Sequence, residues 1–166
     1  MLISLKPKIY VRLQPDLLSL RLVGTTHEVS GTPWLAIHDA KPMQTLATGE
    51  EALLHRDKLN VRVINPFAHP RTLISDFTCA EVVLKGFFKK LASGLSGLAR
   101  AFQISPIFIM HPCIEPEGGF TQVEIRALHE LCLGAGAARV KIWQGRELTD
   151  EELSSGNFPA DGKLLN

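Results

Sequence analysis

From Lys8 to Gln14 (Lys-Ile-Tyr-Val-Arg-Leu-Gln) apolar and polar residues alternate, the period of a strand with one buried face. Pro15-Asp16 interrupts the pattern, and Leu17 to Val23 resumes it as a second strand. Gly24-Thr25-Thr26 turns the chain toward a short strand near Glu28, and the apolar run Trp34 to Ile37 follows Gly31-Thr32-Pro33. The turns lie too close together for helices between them, so the opening predicts an antiparallel meander. Residues 49–56 predict a short helix, and Val61 to Ile64 a brief strand stopped by Asn65-Pro66. Leu73-Ile74 extends that path toward Asp76, an N-cap. From there the period changes. Phe77, Leu84, Phe88, Leu91, Leu95, Leu98 and Phe102 recur at helical steps with Lys85, Lys89 and Arg100 between them, predicting an amphipathic helix to Phe102. Gly94 and Gly97 weaken its second half by roughly 1 kcal/mol each relative to alanine.

Pro106 opens the run Ile107-Phe108-Ile109-Met110, which suits a strand buried on both faces. After a loop over 112–119, Thr121-Gln-Val-Glu124 forms a capping box for a helix whose apolar face holds Val123, Leu128, Leu131 and Cys132. Gly134-Ala-Gly136 ends it, and Val140 to Trp143 predicts another strand. Thr149 to Glu152 is a second capping box, followed by a tail (Gly156, Pro159, Asp161, Gly162) expected to be loosely ordered. The order implies an α/β fold, antiparallel strands first and helix-crossed, parallel strands after. One domain is expected over 1–148, with a short helix and tail over 149–166.

Composition narrows the function only by exclusion. The 166 residues carry 18 Lys+Arg against 17 Asp+Glu, a net charge of +1, so no overall field draws nucleic acid or an anionic surface. Three widely spaced cysteines disfavour a disulfide scaffold and fit a reducing compartment. The opening Met1 to Pro7 lacks a signal-peptide pattern, and no apolar run reaches the roughly 18 residues of a spanning helix. A cytoplasmic protein, peripheral to a membrane at most, is the expectation.

Candidate chemistry is sparse. His111 and Cys113 are a soft ligand pair, but Cys79, Cys132 and His129 are the only residues to complete a metal site and no spacing unites them; a buried Cys113 and a half-exposed His111 are expected instead. Glu115 and Glu117 flank Pro116 in a loop, where carboxylates are commonly just solvated. Gly134-x-Gly136 follows a helix and reads as a C-cap rather than a phosphate cradle. No metal, cofactor or catalytic group is expected.

Taken together, Pro33-Trp-Leu-Ala-Ile37, Leu73-Ile-Ser-Asp-Phe77 and Thr121-Gln-Val-Glu-Ile-Arg-Ala-Leu with Gly134-Ala-Gly-Ala-Ala-Arg-Val140 resemble the bacterial actin-like cell-shape family, MreB. The resemblance covers the family's first subdomain (IA), so it implies a ribonuclease-H-like core. It also implies where an ATPase site would lie. The family's first phosphate hairpin, Asp-x-Gly-Thr, aligns with Arg12-Leu-Gln14-Pro15, and its hydrolytic Glu with Gly145. Arginine cannot hold a cation, proline offers no amide to a phosphate, and glycine cannot polarise a water. These departures imply a nucleotide-free, non-catalytic relative with a protein-binding or scaffold role in cell shape or the cell envelope. The family's membrane-dipping loop falls near Ala101-Phe102, making Leu95, Leu98 and Phe102 a candidate membrane or partner contact. Its interfilament helix aligns with that of Val123, a candidate for self-association, with ordinary core as the other reading. A metal-dependent enzyme on a ribonuclease-H-like core is the alternative, although the strands Lys8 to Gln14 and Ile107 to Met110 carry no carboxylate.

Overall fold

The computed structural model describes residues 6–95 and 106–165. In chain order it contains β1 (Lys8–Gln14), β2 (Leu17–Leu22), β3 (Glu28–Gly31), β4 (Leu35–His38), β5 (Gln44–Thr48), a 3-10 helix (Gly49–His55), β6 (Val61–Ile64) and α1 (Phe77–Ser93). Then follow β7 (Ile107–Pro112), α2 (Gln122–Ala135), β8 (Arg139–Gln144), α3 (Asp150–Ser155) and β9 (Lys163–Leu164). A six-stranded sheet has the order β3-β2-β1-β7-β8-β9, and a smaller sheet the order β5-β4-β6.

The large sheet is mixed. β1, β2 and β3 form an antiparallel meander, with Arg12 opposite Ser19 and Arg21 opposite Glu28. β7 then pairs parallel to β1, and β8 parallel to β7. Alternation along β1 sends Ile9, Val11 and Leu13 to one face and Tyr10, Arg12 and Gln14 to the other. The first set joins Leu18, Leu20, Phe108, Met110 and Ile142 in the main core, where α1 and α2 supply Val83, Leu84, Phe87, Leu128 and Leu131. On the opposite face a smaller cluster gathers Tyr10, Ile109 and Trp143 with Leu148 and Leu153. Strands covered on both sides explain the continuous apolar run at Ile107 to Met110.

Local signals place the helix starts. The Asp76 carboxylate accepts from the Cys79 amide (3.0 Å). Thr121 accepts from the Glu124 amide while Glu124 accepts from the Thr121 amide (3.2 and 2.9 Å), and Thr149 and Glu152 repeat the arrangement (3.3 and 2.8 Å). α1 reaches Ser93 with Gly94 as its C-cap, and the His27 ring donates to the Leu91 carbonyl (3.0 Å). The predicted continuation of this helix through Leu98 to Phe102 lies outside the described residues.

Two expectations are corrected. β4 does not extend the opening meander: it is the centre of the small sheet, flanked by β5 and β6. Its Leu35, Ala36 and Ile37 are all buried, so it needs a partner on each side, whereas Gln44 to Ala47 is largely solvent-facing and has no apolar alternation to betray it. α1 docks on this sheet through Gly86, where a Cβ would stand 2.6 Å from the Thr48 hydroxyl, and through the Lys90 ammonium, which donates to the Thr48 carbonyl (2.8 Å). Leu73-Ile74 is irregular and packs on the main core.

The tail is the second correction, because it is tied down rather than loose. β9 pairs antiparallel with β8, and the Leu165 amide donates to the Ile142 carbonyl (2.9 Å). Phe158 stacks on Trp143 with centroids 5.4 Å apart. The physical reason is Trp143: a fully buried indole on the face away from α1 and α2 must be covered, and Leu148, Leu153 and Phe158 from beyond β8 help to cover it.

Candidate functional site

The site implied by the resemblance lies at the carboxyl ends of β1 and β8. Pro15 and Asp16 make the two-residue turn of the β1–β2 hairpin. The Asn65 amide group donates to the Pro15 carbonyl (2.7 Å), and its own oxygen accepts from the Phe67 amide (3.0 Å). The hairpin tip is thereby tied to the segment after β6. Beside it opens a cleft of about 330 Å³, walled by Pro15, Phe67, Pro70, Leu73, Ile114 and Pro116 and edged by Arg71 and Glu117. Its lining mixes apolar side chains and proline rings with His69, Arg71, Thr72 and Glu117.

Arg12 is committed to internal contacts. Its guanidinium meets Glu147 (2.9 Å), Glu28 (3.3 Å) and the Ser19 hydroxyl (3.4 Å), and Ser19 donates to Glu28. One cation is thus shared between two carboxylates brought from β3 and from the loop after β8.

Gly145 is committed too. A Cβ there would meet the Trp143 ring at 2.6 Å and the Gly162 backbone at 3.1 Å. Its carbonyl accepts from His111 Nε2 (2.9 Å), and His111 Nδ1 pairs with the Tyr10 hydroxyl (2.6 Å). The phenol oxygen also accepts from the Leu148 amide (3.2 Å). Desolvation raises the Tyr10 pKa to about 12 and lowers that of His111. This reverses the expectation for the His111-Pro-Cys113 pair. His111 is 4% exposed, because Tyr10 and Gly145 satisfy both ring nitrogens, while Cys113 is half-buried. The signal missed in the sequence is Tyr10, 101 positions from its partner.

Other candidates disperse. Cys79 and Cys132 are buried thiols, both raised by desolvation, Cys79 to about 11, and so are protonated and poor nucleophiles. Among the described residues no three His, Cys, Asp or Glu side chains converge on a metal position. Glu115 and Glu117 are exposed. Leu95 is half-buried and packs against the main core, while Leu98 and Phe102 lie outside the described residues. Val123 is 78% exposed, which overturns its reading as core. Among the described residues no helix is long and apolar enough to cross a membrane.

A family model described as MreB/Mbl protein matches residues 26–148. The chain belongs to the MreB/Mbl family. Solved actin-like structures superpose on it at low identity, which supports the fold alone. MreB5 of Spiroplasma citri bound to ADP gives a TM-score of 0.60 at 20% identity, covering 83% of this chain and 38% of that one. Its AMPPNP-bound form gives 0.58 at 19% identity, covering 84% and 38%. A non-polymerising MamK mutant bound to AMPPNP gives 0.56 at 9% identity, covering 82% and 40%. This MreB/Mbl chain therefore spans about two fifths of the length of these relatives. Comparison with curated proteins yields no match. The matched span includes Gly145 and begins after Arg12, Gln14 and Pro15.

Proposed function

We propose that this chain is a non-catalytic MreB-like actin-fold module. It binds protein partners, including other copies of itself, in a role tied to cell shape or the cell envelope on the cytoplasmic side. The observation that carries the reading is Gly145. Its α-carbon is walled by Trp143 and Gly162 and its carbonyl is held by His111, so the position given to a hydrolytic acid has no room for one. Arg12, paired with Glu28 and Glu147, supports the same reading, since a guanidinium repels the divalent ion that an ATPase needs there. Pro15 adds a missing amide. Nucleotide is thus no part of its working state, and contact surfaces carry its function.

Self-association is the testable form of that role, and Val123 is its marker. A side chain so exposed at the second position of α2, beside Phe77 and next to an apolar cleft of about 170 Å³ lined by Leu73, Ile74 and Leu128, suits a helix-to-helix contact. Val123→Glu places an acid in the first helical turn, where the helix dipole favours it, so folding is retained. Light scattering is expected to show a mass that grows with concentration for the native chain and a constant monomer mass for the variant. A native chain that stays monomeric up to high concentration, or a variant that associates equally well, contradicts the reading.

A further inference from the structure

Residues 145–158 lie across the sheet face that carries no long helix, and the contacts holding them there differ in kind. At the rim they are partly exposed ion pairs and charge-assisted hydrogen bonds: Arg12 with Glu147, Arg21 with Asp150 (2.5 Å), and the Lys8 ammonium donating to the carbonyls of Leu153 and Ser154 (3.1 and 2.6 Å). Such pairs are individually weak in water. At the centre Leu148 and Leu153 are buried, Phe158 stacks on Trp143, and Trp143 Nε1 donates to the Arg146 carbonyl. One imidazole ties the first turn of the segment. A carbonyl can only accept, so the bond to Gly145 places a proton on His111 Nε2 and leaves Nδ1 as the acceptor of the Tyr10 hydroxyl proton. Tyr10 in turn accepts from the Leu148 amide. His111 therefore grips both ends of the 145–148 segment, through Gly145 directly and through Leu148 by way of Tyr10.

This arrangement works only with a neutral ring. A second proton would sit on Nδ1, facing the phenol. Tyr10 would then have to turn its own hydroxyl proton elsewhere, into a cluster formed by Ile109, Trp143, Leu148 and Leu153, where an unpaired donor is costly. We propose that the Tyr10–His111 pair is a proton-operated latch: protonation of His111 at Nδ1 loosens the strap of residues 145–148 from the sheet and opens the Tyr10 hydroxyl to solvent while the rest of the fold persists.

The charges around the ring are few and opposed. Arg12 on β1 disfavours the imidazolium, Glu147 on the strap favours it, and Cys113 beyond β7, raised by burial, stays a neutral thiol. Burial dominates and holds the His111 pKa below its ordinary value. A base depressed in the closed state binds its proton more readily once released. The latch is thus fully effective above the ordinary histidine pKa of about 6.5 and weakens as pH falls from there toward the lower value in the folded protein. This inference is independent of the scaffold reading: it requires no partner and no statement about nucleotide.

Hydrogen–deuterium exchange on the full chain between pH 7.5 and pH 4.5, corrected for intrinsic exchange rates, tests it. Amides of 145–148, Leu148 above all, are expected to lose protection by up to about tenfold per pH unit as pH falls from about 6.5 toward the lower folded-state value and to level off below it, while β1, β2 and α1 keep theirs. His111→Gln retains a donor for the Gly145 carbonyl and cannot titrate in this range, so protection of its strap is expected to be independent of pH. Loss spread evenly over the whole chain, an unchanged strap in acid, or a His111→Gln strap with the native pH profile overturns the latch. Should that variant fail to fold, the pattern in the native chain decides: loss confined to the strap, coincident with His111 ring titration followed by nuclear magnetic resonance, supports the latch, and loss without that coincidence overturns it.

Discussion

Gly145→Glu, which places an acid where the resemblance aligns the family's hydrolytic Glu, is expected to destabilise the protein by about 3 kcal/mol and to generate no ATP hydrolysis. The new Cβ would stand 2.6 Å from the Trp143 ring. That ring cannot retreat, because Phe158 stacks on it and its Nε1 donates to the Arg146 carbonyl (2.8 Å). Either the indole moves and β9 detaches, or the backbone at 145 moves and the His111 bond is lost. In a chain of this size the loss lowers the melting temperature by roughly 10 °C, readable by circular dichroism. A variant as stable as the native chain would mean that the pocket at Gly145 is open after all.

Trp143→Ala is expected to cost more, about 4 kcal/mol in urea denaturation, in the range found for large aromatic deletions from a core. The indole is fully buried and anchors the smaller cluster with Tyr10, Ile109, Leu148 and Leu153. Its loss also removes the surface that holds the tail, so residues 156–165 should become protease-sensitive. Unchanged protease resistance of that segment would show that β9 pairing alone orders the tail.

The parts of this fold that were legible in the sequence are those set by neighbours in the chain. Asp76, Thr121 and Thr149 start helices because each cap satisfies amides three residues ahead. Lys8 to Gln14 and Val61 to Ile64 match their strands because their residue pattern meets the pleat directly. The small sheet was not legible, since β5 owes its pairing to β4 and not to its own pattern. Nor was the candidate site legible as a set of contacts. The resemblance singled out Arg12 and Gly145 as substitutions, but that Arg12 pairs with a carboxylate 135 residues away follows only from the fold. His111 was misjudged for the same reason: its partners are Tyr10 and a carbonyl beyond β8. Leu95 was singled out by the resemblance as a membrane or partner contact, and its partial packing against the main core was not legible in the sequence.

The central claim is a nucleotide position whose side chains have been turned to internal structure. The melting temperature of the full chain with and without millimolar Mg·ATP tests it most directly. A ligand at a hundred times its dissociation constant stabilises the folded state by about 2.7 kcal/mol, several degrees for a chain of this length. The account predicts no shift. A saturable rise of several degrees that Gly145→Glu or Arg12→Ala alters would contradict it.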